Sequence, residues 1–386
     1  LRAPGVTETP SDPTGELEHL LQTAVDDRLR DTDSAGISMS GGIDSPLIAA
    51  MARGRHGGSR PVELLAETVV FDHLIPDDER RFAAIAANAL DIPITFRPAD
   101  EDYDRLVERL QAPSRLPEPP ADPTAPVNEM LPSFATHTRV VLTGYDGDAL
   151  CQIWLPSHFR RLIGRGRIGQ AIQQIRELSR LTGSFPPKGA TGFWSPYLLR
   201  QARRRAAAEF PQWIDAELVN GLDLVERWQQ AQARGRPWSR APEADAIELL
   251  TEGGARDVFE NFDPAITGTG VAVRHPLFDL RVIEYMLALP PIPWKVEKTV
   301  LRRAASRSLP ATLWQRPKSP LAADPLEIWI SNATLQEREF QPSRAEAYVN
   351  SALLPTLSSA SASGTLWPRL WATGLDRWLL GQGREA

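Results

Sequence analysis

The sequence predicts an α/β protein in which a doubly wound parallel sheet is followed by a mostly helical C-terminal region. Strand-like and helix-like segments alternate from residue 16 to about residue 150, and strand signals become rare from about residue 155. Two of the strand-like runs end in a glycine turn that contains an acid. Alternation at this spacing is typical of parallel strands joined by crossover helices. We therefore expect a linker remnant at 1–15, an α/β core at 16–154 and a helical region at 155–386.

The elements follow from local patterns. Four strands are predicted as short runs of buried-type residues, at 35–41, 62–71, 92–99 and 139–144. Five segments have apolar residues at helical spacing, at 16–30, 45–54, 77–91, 102–112 and 127–138. A proline-rich loop is expected at 113–126. In such a sheet, ligands bind at the carboxyl ends of the strands.

Composition limits the class of protein. The chain has 386 residues, 42% of them hydrophobic, and a formal net charge of -6, so nothing global favours a nucleic-acid or membrane partner. A single cysteine, Cys151, excludes a disulfide framework and is typical of the cytoplasm, where we expect the protein to act. The chain begins with Leu1, so we expect an N-terminal portion to be missing.

The first acidic turn is "SMSGGIDS", residues 38 to 45. Gly41 and Gly42 allow close backbone approach, the following helix offers unpaired N–H groups to an anion, and Ser40 and Ser45 add hydroxyl donors. Asp44 would repel a bare phosphate, so its presence indicates a Mg²⁺ ion that bridges the carboxylate to phosphate oxygens. The alternative is an ordinary glycine turn in which Asp44 caps the helix.

The second acidic turn is "LTGYDGDAL", residues 142 to 150. It repeats the pattern of a buried strand, a glycine at Gly144 and a carboxylate at Asp148. Two carboxylates at the same edge of one sheet could share one Mg²⁺ ion. The alternative is a surface Asp-Gly turn.

These residues carry a family resemblance. "SGGIDS" is similar to the pyrophosphate loop of the ATP pyrophosphatase superfamily. Together with "TGYDGD", "VAVRHPLFDLRVIEYMLALP", "KVEKTVLRRA" and "LPATLWQRPKSPL", it resembles the synthetase domain of the asparagine synthetase family over roughly residues 16 to 330. Within that family, "HLIPDDERRFAAIAANALDIPI" and "LALPPIPWKVEKTVLRRA" resemble lasso-peptide cyclases, the macrolactam synthetases.

The resemblance implies the site residues and cofactors. It implies that ATP and Mg²⁺ are used and that Asp44 and Asp148 hold the metal. It further implies catalytic roles for Lys318, for Tyr145, which matches a catalytic tyrosine of β-lactam synthetases, and for Glu260 as the partner acid. The residues that the resemblance places against the nucleotide are Ser40, Gly41, Gly42, Asp44, Ser45 and Gly144.

The implied reaction is ATP-dependent amide formation. A side-chain carboxylate of a precursor peptide is adenylated, and the peptide's N-terminal amine then closes a macrolactam ring, with release of AMP and pyrophosphate. A leader peptidase and a leader-recognition protein are implied partners. The helical region 155–386 would complete the substrate cleft.

Other interpretations stay open. A small-molecule member of the family would make asparagine or a β-lactam, although Ala149 replaces the acid that follows Asp148 in asparagine synthetases and Asp146 replaces a usual glycine. A tRNA-modifying pyrophosphatase could use the ten arginines of residues 158–205, but the net negative charge and the lack of CxxC pairs oppose it. Lys298 and Arg302 could form a basic stripe that faces phosphate, or a solvated helix face.

Overall fold

The computed structural model places most of the predicted elements. It describes residues 11–54, 61–100, 131–145, 147–151, 155–183, 210–233, 259–317, 344–355 and 362–383, with single positions and short runs between these ranges. The predicted helix at 102–112 and the proline-rich loop lie largely outside the described residues.

The centre of the fold is a five-stranded parallel sheet with the order β3-β2-β1-β4-β5. Its strands are β1 (Ser34–Ser38), β2 (Glu63–Val70), β3 (Ile94–Pro98), β4 (Val140–Thr143) and β5 (Ala272–Arg274). β2, β3 and β4 lie within predicted strands, and β1 begins one residue before its predicted strand, so the α/β class with a parallel sheet is confirmed. The fifth strand was not predicted, and it comes from the region expected to be helical. The division at residue 154 remains a prediction.

Helices surround the sheet and continue beyond it. In the part of the chain before β5 they are α1 (Pro13–Arg28), α2 (Asp44–Arg53), α3 (Glu79–Ala89), α4 (Leu131–Ala135), α5 (Gly147–Leu150), α6 (Leu155–Gly164), α7 (Ile168–Thr182), α8 (Ala216–Gly221), α9 (Leu224–Ala233) and α10 (Pro264–Thr267). After β5 they are α11 (Leu280–Ala288), α12 (Pro291–Trp294), α13 (Thr299–Ala305), α14 (Ala311–Trp314) and α15 (Ala362–Gln382).

Both faces of the sheet are covered, as expected of a doubly wound fold. Along β4, Val140 and Leu142 belong to the main core with α1, α2, α11 and α13, whereas Val141 packs on the other face against Phe134 of α4. This alternation follows from the opposite directions of successive side chains in a strand. Gly36 of β1 lets α4 approach, because a Cβ there would lie 2.4 Å from the Phe134 ring.

The segment after β5 is tied to the N-terminal helix by charge. Asp279 caps α11 by accepting the Arg281 backbone N–H, and its carboxylate pairs with Arg28 of α1 at 2.9 Å. Hydrogen bonds from the Arg281 side chain, then from Arg28, hold the pKa of Asp279 well below its usual range. The network therefore joins the first and the late parts of the chain around one core.

The arginine-rich segment begins with α6 and α7. Phe159, Leu162, Ala171 and Leu178 pack against Ile292 and Val296, while Arg160, Arg165, Arg167, Arg176 and Arg180 are exposed. The arginine-rich segment extends to residue 205, and residues 184–209 lie outside the described part. Across the described residues, no helix has the length and apolar character needed to cross a membrane.

Candidate active site at the switch point of the sheet

The two acidic turns meet where the chain changes direction in the sheet. From β1 the chain moves outward through β2 and β3, and it then returns to add β4 on the other side of β1. The carboxyl ends of β1 and β4 therefore lead their loops apart and leave a crevice between them. Asp44 is the first residue of α2 after β1, and Asp148 lies in the first turn of α5 after β4.

The first turn is a preorganised loop at a helix N-terminus. The Ser45 hydroxyl accepts the Ser40 backbone N–H at 2.8 Å and lies 3.0 Å from the Ser40 hydroxyl. The Gly42 N–H also turns toward the Ser40 side chain, at 3.3 Å. The ten-residue helix α2 adds the positive end of its dipole, which favours an anion beside the loop.

Two glycines of the second turn let it approach the first. A Cβ at Gly144 would lie 2.4 Å from the Ser45 backbone nitrogen, and a Cβ at Gly147 would lie 2.4 Å from the Asp44 carboxylate. Cβ atoms essentially never come so close to another heavy atom. Gly144 is therefore required by the contact with the backbone of the first turn, and Gly147 leaves room for the Asp44 carboxylate.

A lysine that is distant in sequence stands between the acids. The Lys298 ammonium lies 2.5 Å from Asp44 Oδ2 and 2.9 Å from Asp148 Oδ1. Burial works to lower the pKa of Lys298, but the Asp44 charge and the hydrogen bonds to both acids outweigh it and raise that pKa. The lysine is therefore charged across the range of ordinary buffers.

The backbone that presents this lysine is strained. Glu297 and Lys298 have φ angles of 50° and 56°, in the left-handed region that non-glycine residues rarely adopt. The Arg302 side chain donates to the carbonyls of Glu297, at 2.6 Å, and Trp314, at 2.8 Å, and also to that of Arg316. Such conformations persist where the surroundings hold them, and they cluster at functional sites.

A second clamp holds the first turn from the side of α3. The Gly41 N–H donates to the Glu79 carboxylate, and the Gly41 carbonyl accepts from Arg316 at 2.9 Å. The Arg316 guanidinium in turn lies 3.8 Å from the centre of the Phe82 ring. Both backbone hydrogen-bonding groups of Gly41 are thereby fixed.

These residues line one cavity of about 360 Å³. Its cations are Lys295, Lys298, Arg302 and Arg316, its acids are Asp44, Glu79, Asp148 and Glu297, and its other lining residues are Ser40, Gly41, Gly42, Ile43, Cys151, Ile153, Leu313 and Pro317. Burial, then the nearby Asp44 charge, raises the pKa of Cys151 to about 12, so its thiol is not a nucleophile at neutral pH. The lining is suited to a polyanion with a bound cation.

The acids fit the magnesium ion that the sequence implied. Oxygens of Asp44 and Asp148 both lie within hydrogen-bonding distance of a single point, the Lys298 nitrogen, so the two carboxylates converge. Among the described residues, no group of three or more His, Cys, Asp or Glu side chains forms a metal site. Two carboxylates together with phosphate oxygens and water are the ligand set that Mg²⁺ takes with nucleotides.

Comparison with known protein families agrees with this geometry. The family model described as asparagine synthase matches residues 16–379. The chain belongs to the asparagine synthase family. Among curated proteins, no relative matches it. Family membership supports an ATP-dependent ligase-type activity, with ATP and Mg²⁺ as the family's usual requirements.

The structure brings together some of the predicted site residues and leaves others apart. Of the residues assigned to nucleotide or metal, Ser40, Gly41, Gly42, Asp44 and Asp148 line the cavity, and Ser45 and Gly144 lie directly behind it. Tyr145 and Glu260 are not among the lining residues. Phe259 and Phe262, which flank Glu260, contact His275, whose ring also contacts Tyr145. Lys318 lies outside the described residues, although Pro317 before it lines the cavity.

The sequence interpretation missed or misjudged four basic residues that line this cavity. Lys298 and Arg302 were considered as one phosphate-facing stripe, but Lys298 meets the two acids whereas Arg302 supports backbone carbonyls. Lys295, which is 1% exposed, and Arg316 were not assigned to the site. The spacing "KVEK" was the available signal for Lys295 and Lys298.

Proposed function

We propose that this member of the asparagine synthase family is a lasso-peptide cyclase, an AMP-forming ligase that closes a macrolactam ring. The observation that carries the adenylation chemistry is the convergence of Asp44, Asp148 and Lys298 beside the loop at Gly41 and Gly42. In that arrangement the β- and γ-phosphates of ATP can bind at the loop, and the Lys298 ammonium can stabilise the negative charge of the departing pyrophosphate.

In the first step, an Asp or Glu side-chain carboxylate of the peptide attacks the α-phosphorus of ATP. The bond to the β-phosphate oxygen breaks, and acyl-adenylate and pyrophosphate form. The N–H groups at the start of α2 and the hydroxyls of Ser40 and Ser45 orient the phosphates. The ammonium of Lys298 balances negative charge as it develops on the leaving group. Mg²⁺ held by Asp44 and Asp148 would neutralise phosphate charge.

In the second step, the N-terminal amine of the peptide attacks the activated carbonyl. AMP leaves, the nitrogen loses a proton, and an isopeptide bond closes the ring. The chain's part is to hold the amine and carbonyl together and to keep water from the adenylate. Tyr145 with Glu260, and Lys318, are proposed for the proton transfer and for charge stabilisation on the resemblance alone.

A peptide substrate is supported by two observations. First, the segments "HLIPDDERRFAAIAANALDIPI" and "LALPPIPWKVEKTVLRRA" resemble those of lasso-peptide cyclases. A second depression of about 850 Å³, which includes Phe71 and Phe96, shares Glu79 and Arg316 with the cavity. Space for more than a single amino acid therefore adjoins the site. We further propose a leader peptidase and a leader-recognition protein as partners and the cytoplasm as the location.

The test uses purified protein, Mg·ATP and a leaderless or leader-bound precursor peptide with an Asp or Glu at the ring position. We expect ATP–pyrophosphate exchange that depends on the peptide, AMP as the nucleotide product, and a peptide product lighter by one water. The same peptide with Asn or Gln at the ring position is the matched control and should give neither exchange nor product.

Free aspartate separates this proposal from the small-molecule alternative. Strong exchange or amidation with free aspartate, and none with any ring-position peptide, would replace the cyclase by an asparagine-forming enzyme. Formation of ADP and phosphate would contradict adenylation for either substrate.

A further inference from the structure

We propose that His275 is a positioning residue for the second acidic turn and that it acts through the Thr143 hydroxyl. The inference deepens the proposed function and rests on it, because its main consequence is the placement of Tyr145 and Asp148. It concerns a buried polar group outside the cavity lining.

The geometry links two neighbouring strand ends. β4 and β5 pair in parallel, with Leu142 opposite Arg274, so Thr143 and His275 follow side by side at the carboxyl edge. His275 Nδ1 lies 2.7 Å from the Thr143 hydroxyl oxygen. The same oxygen accepts the backbone N–H of Tyr145 at 3.2 Å. One hydroxyl therefore connects the imidazole to the backbone of the turn.

The surroundings of the ring fix the direction of these hydrogen bonds. His275 is 4% exposed, and its Nε2 is buried without a hydrogen-bond partner among the described residues. Around the ring lie Phe259, with its centroid 5.2 Å away and its plane perpendicular, Phe262 at 5.4 Å and Tyr145 at 5.7 Å. Among aromatic rings, a ring N–H is better accommodated than a bare nitrogen lone pair.

The ring hydrogen therefore belongs on Nε2, and Nδ1 is an acceptor. Thr143 then donates its only hydroxyl hydrogen to His275 and presents a lone pair to the Tyr145 N–H. Burial, then the charge of Arg28, lowers the pKa of His275 to about 4, in agreement with a neutral ring. The order Tyr145 to Thr143 to His275 uses all three groups and leaves no bare lone pair on the buried ring.

What this relay positions is the turn from Gly144 to Asp148. Gly144 touches the backbone of Ser45, and Gly147 touches the Asp44 carboxylate, so the turn has little freedom on that side. On the opposite side, the turn is held by the hydrogen bond from the Tyr145 backbone N–H to the Thr143 hydroxyl. Loss of the Thr143 hydroxyl, or of His275 as its acceptor, would free this side of the turn and let Asp148 move relative to Asp44.

The test compares Thr143→Val, which keeps the shape and removes the hydroxyl, with His275→Leu, which removes the acceptor. Both should lower kcat for peptide-dependent AMP formation by about 10- to 100-fold, as expected for a displacement of up to about 1 Å. The double variant should be no worse than the more impaired single variant, because both changes break one relay. His275→Asn, which keeps an acceptor near the Nδ1 position, and Thr143→Ser should recover most of the loss.

The chain offers a matched control. His137 Nδ1 lies 2.6 Å from the Thr136 hydroxyl in an exposed pair before β4, far from the carboxyl edge. Thr136→Val and His137→Leu should leave kcat unchanged. Affinity for Mg·ATP, measured by calorimetry on all variants, needs no peptide, and we expect it to fall for Thr143→Val and His275→Leu but not for the Thr136 and His137 variants.

The outcomes separate the two proposals. If wild-type protein forms no AMP with any peptide, the proposed function fails, and the nucleotide-affinity comparison still decides the role of His275. If Thr143→Val and His275→Leu lose only stability to unfolding, with kcat and Mg·ATP affinity as in wild type, His275 is a packing residue and the inference is overturned. Additive losses in the double variant would also overturn it.

Discussion

Substitution of Gly144 by alanine tests the close contact between the two acidic turns. The added Cβ would lie 2.4 Å from the Ser45 nitrogen and 2.8 Å from the Asp44 carbonyl carbon, both of which are backbone atoms. Since ordinary contacts between such atoms begin near 3.5 Å, the turns must separate by about 1 Å. Neither neighbour can relieve the overlap by a side-chain rotation.

The expected losses of stability and of activity both follow from this displacement of about 1 Å. Overpacking of this kind costs about 1–3 kcal/mol in the free energy of unfolding. A shift of about 1 Å between Asp44 and Asp148 should lower turnover by about 10²-fold, because the proposed magnesium site needs both carboxylates at one point. The loss of activity should therefore exceed what the fraction of unfolded protein explains.

Two measurements check this on one protein sample. Urea unfolding gives the stability change, and ATP–pyrophosphate exchange with Mg²⁺ titration gives the activity and the apparent metal requirement. Gly164→Ala is the control, because a Cβ at the end of α6 would meet no atom within 4 Å. It should be neutral or slightly stabilising. Wild-type exchange and metal requirement in Gly144→Ala would refute the role of this contact.

Three further substitutions probe other parts of the molecule. Lys298→Met should lower kcat by about 10²- to 10³-fold at saturating ATP, as for other preorganised charged donors, and a kcat near wild type would mean that the ammonium does not meet the reacting phosphates. Gly36→Ala forces a Cβ to 2.4 Å from the Phe134 ring, so chemical denaturation should show a loss of about 1–3 kcal/mol with the KM for ATP unchanged. The Arg281 side chain, foremost, lowers the pKa of Asp279, so the stabilisation is present above the unfolded pKa of about 3.9 and is lost as the pH falls toward the folded value. Asp279→Ala should therefore cost about 1–3 kcal/mol at pH 7 and flatten the acid side of a pH–stability curve, and an unchanged curve would contradict the assignment.

The sequence predicted the parts of the candidate site in which an acidic residue directly follows a predicted strand. Asp44 and Asp148 each follow a buried strand and a glycine, so parallel pairing alone sends both to one edge of the sheet. Lys298 is far from both in sequence, and it reaches them because a left-handed backbone turns it inward. Propensity rules do not predict that conformation for a lysine, since it depends on tertiary contacts such as those of Arg302.

The limits of prediction in the fold have a similar cause. β5 has only three residues, and none of them is fully buried, so its own sequence gives a weak strand signal. It is a strand because β4 offers it an unpaired edge, with Val273 beside Val141. His275 is placed beside Thr143 by the same pairing. Long-range partners of this kind are not encoded in local periodicity.

The position of Lys298 also affects how the repulsion between Asp44 and Asp148 is balanced in the folded protein. Asp44 and Asp148 meet a countercharge that belongs to the polypeptide, so their mutual repulsion is balanced from within. A protein built in this way should not need a divalent ion to remain folded, and chelators should leave its melting temperature unchanged. Without the Lys298 ammonium, only a cation from solution could balance the repulsion between the two acids. The thermal stability of Lys298→Met should therefore rise with added Mg²⁺.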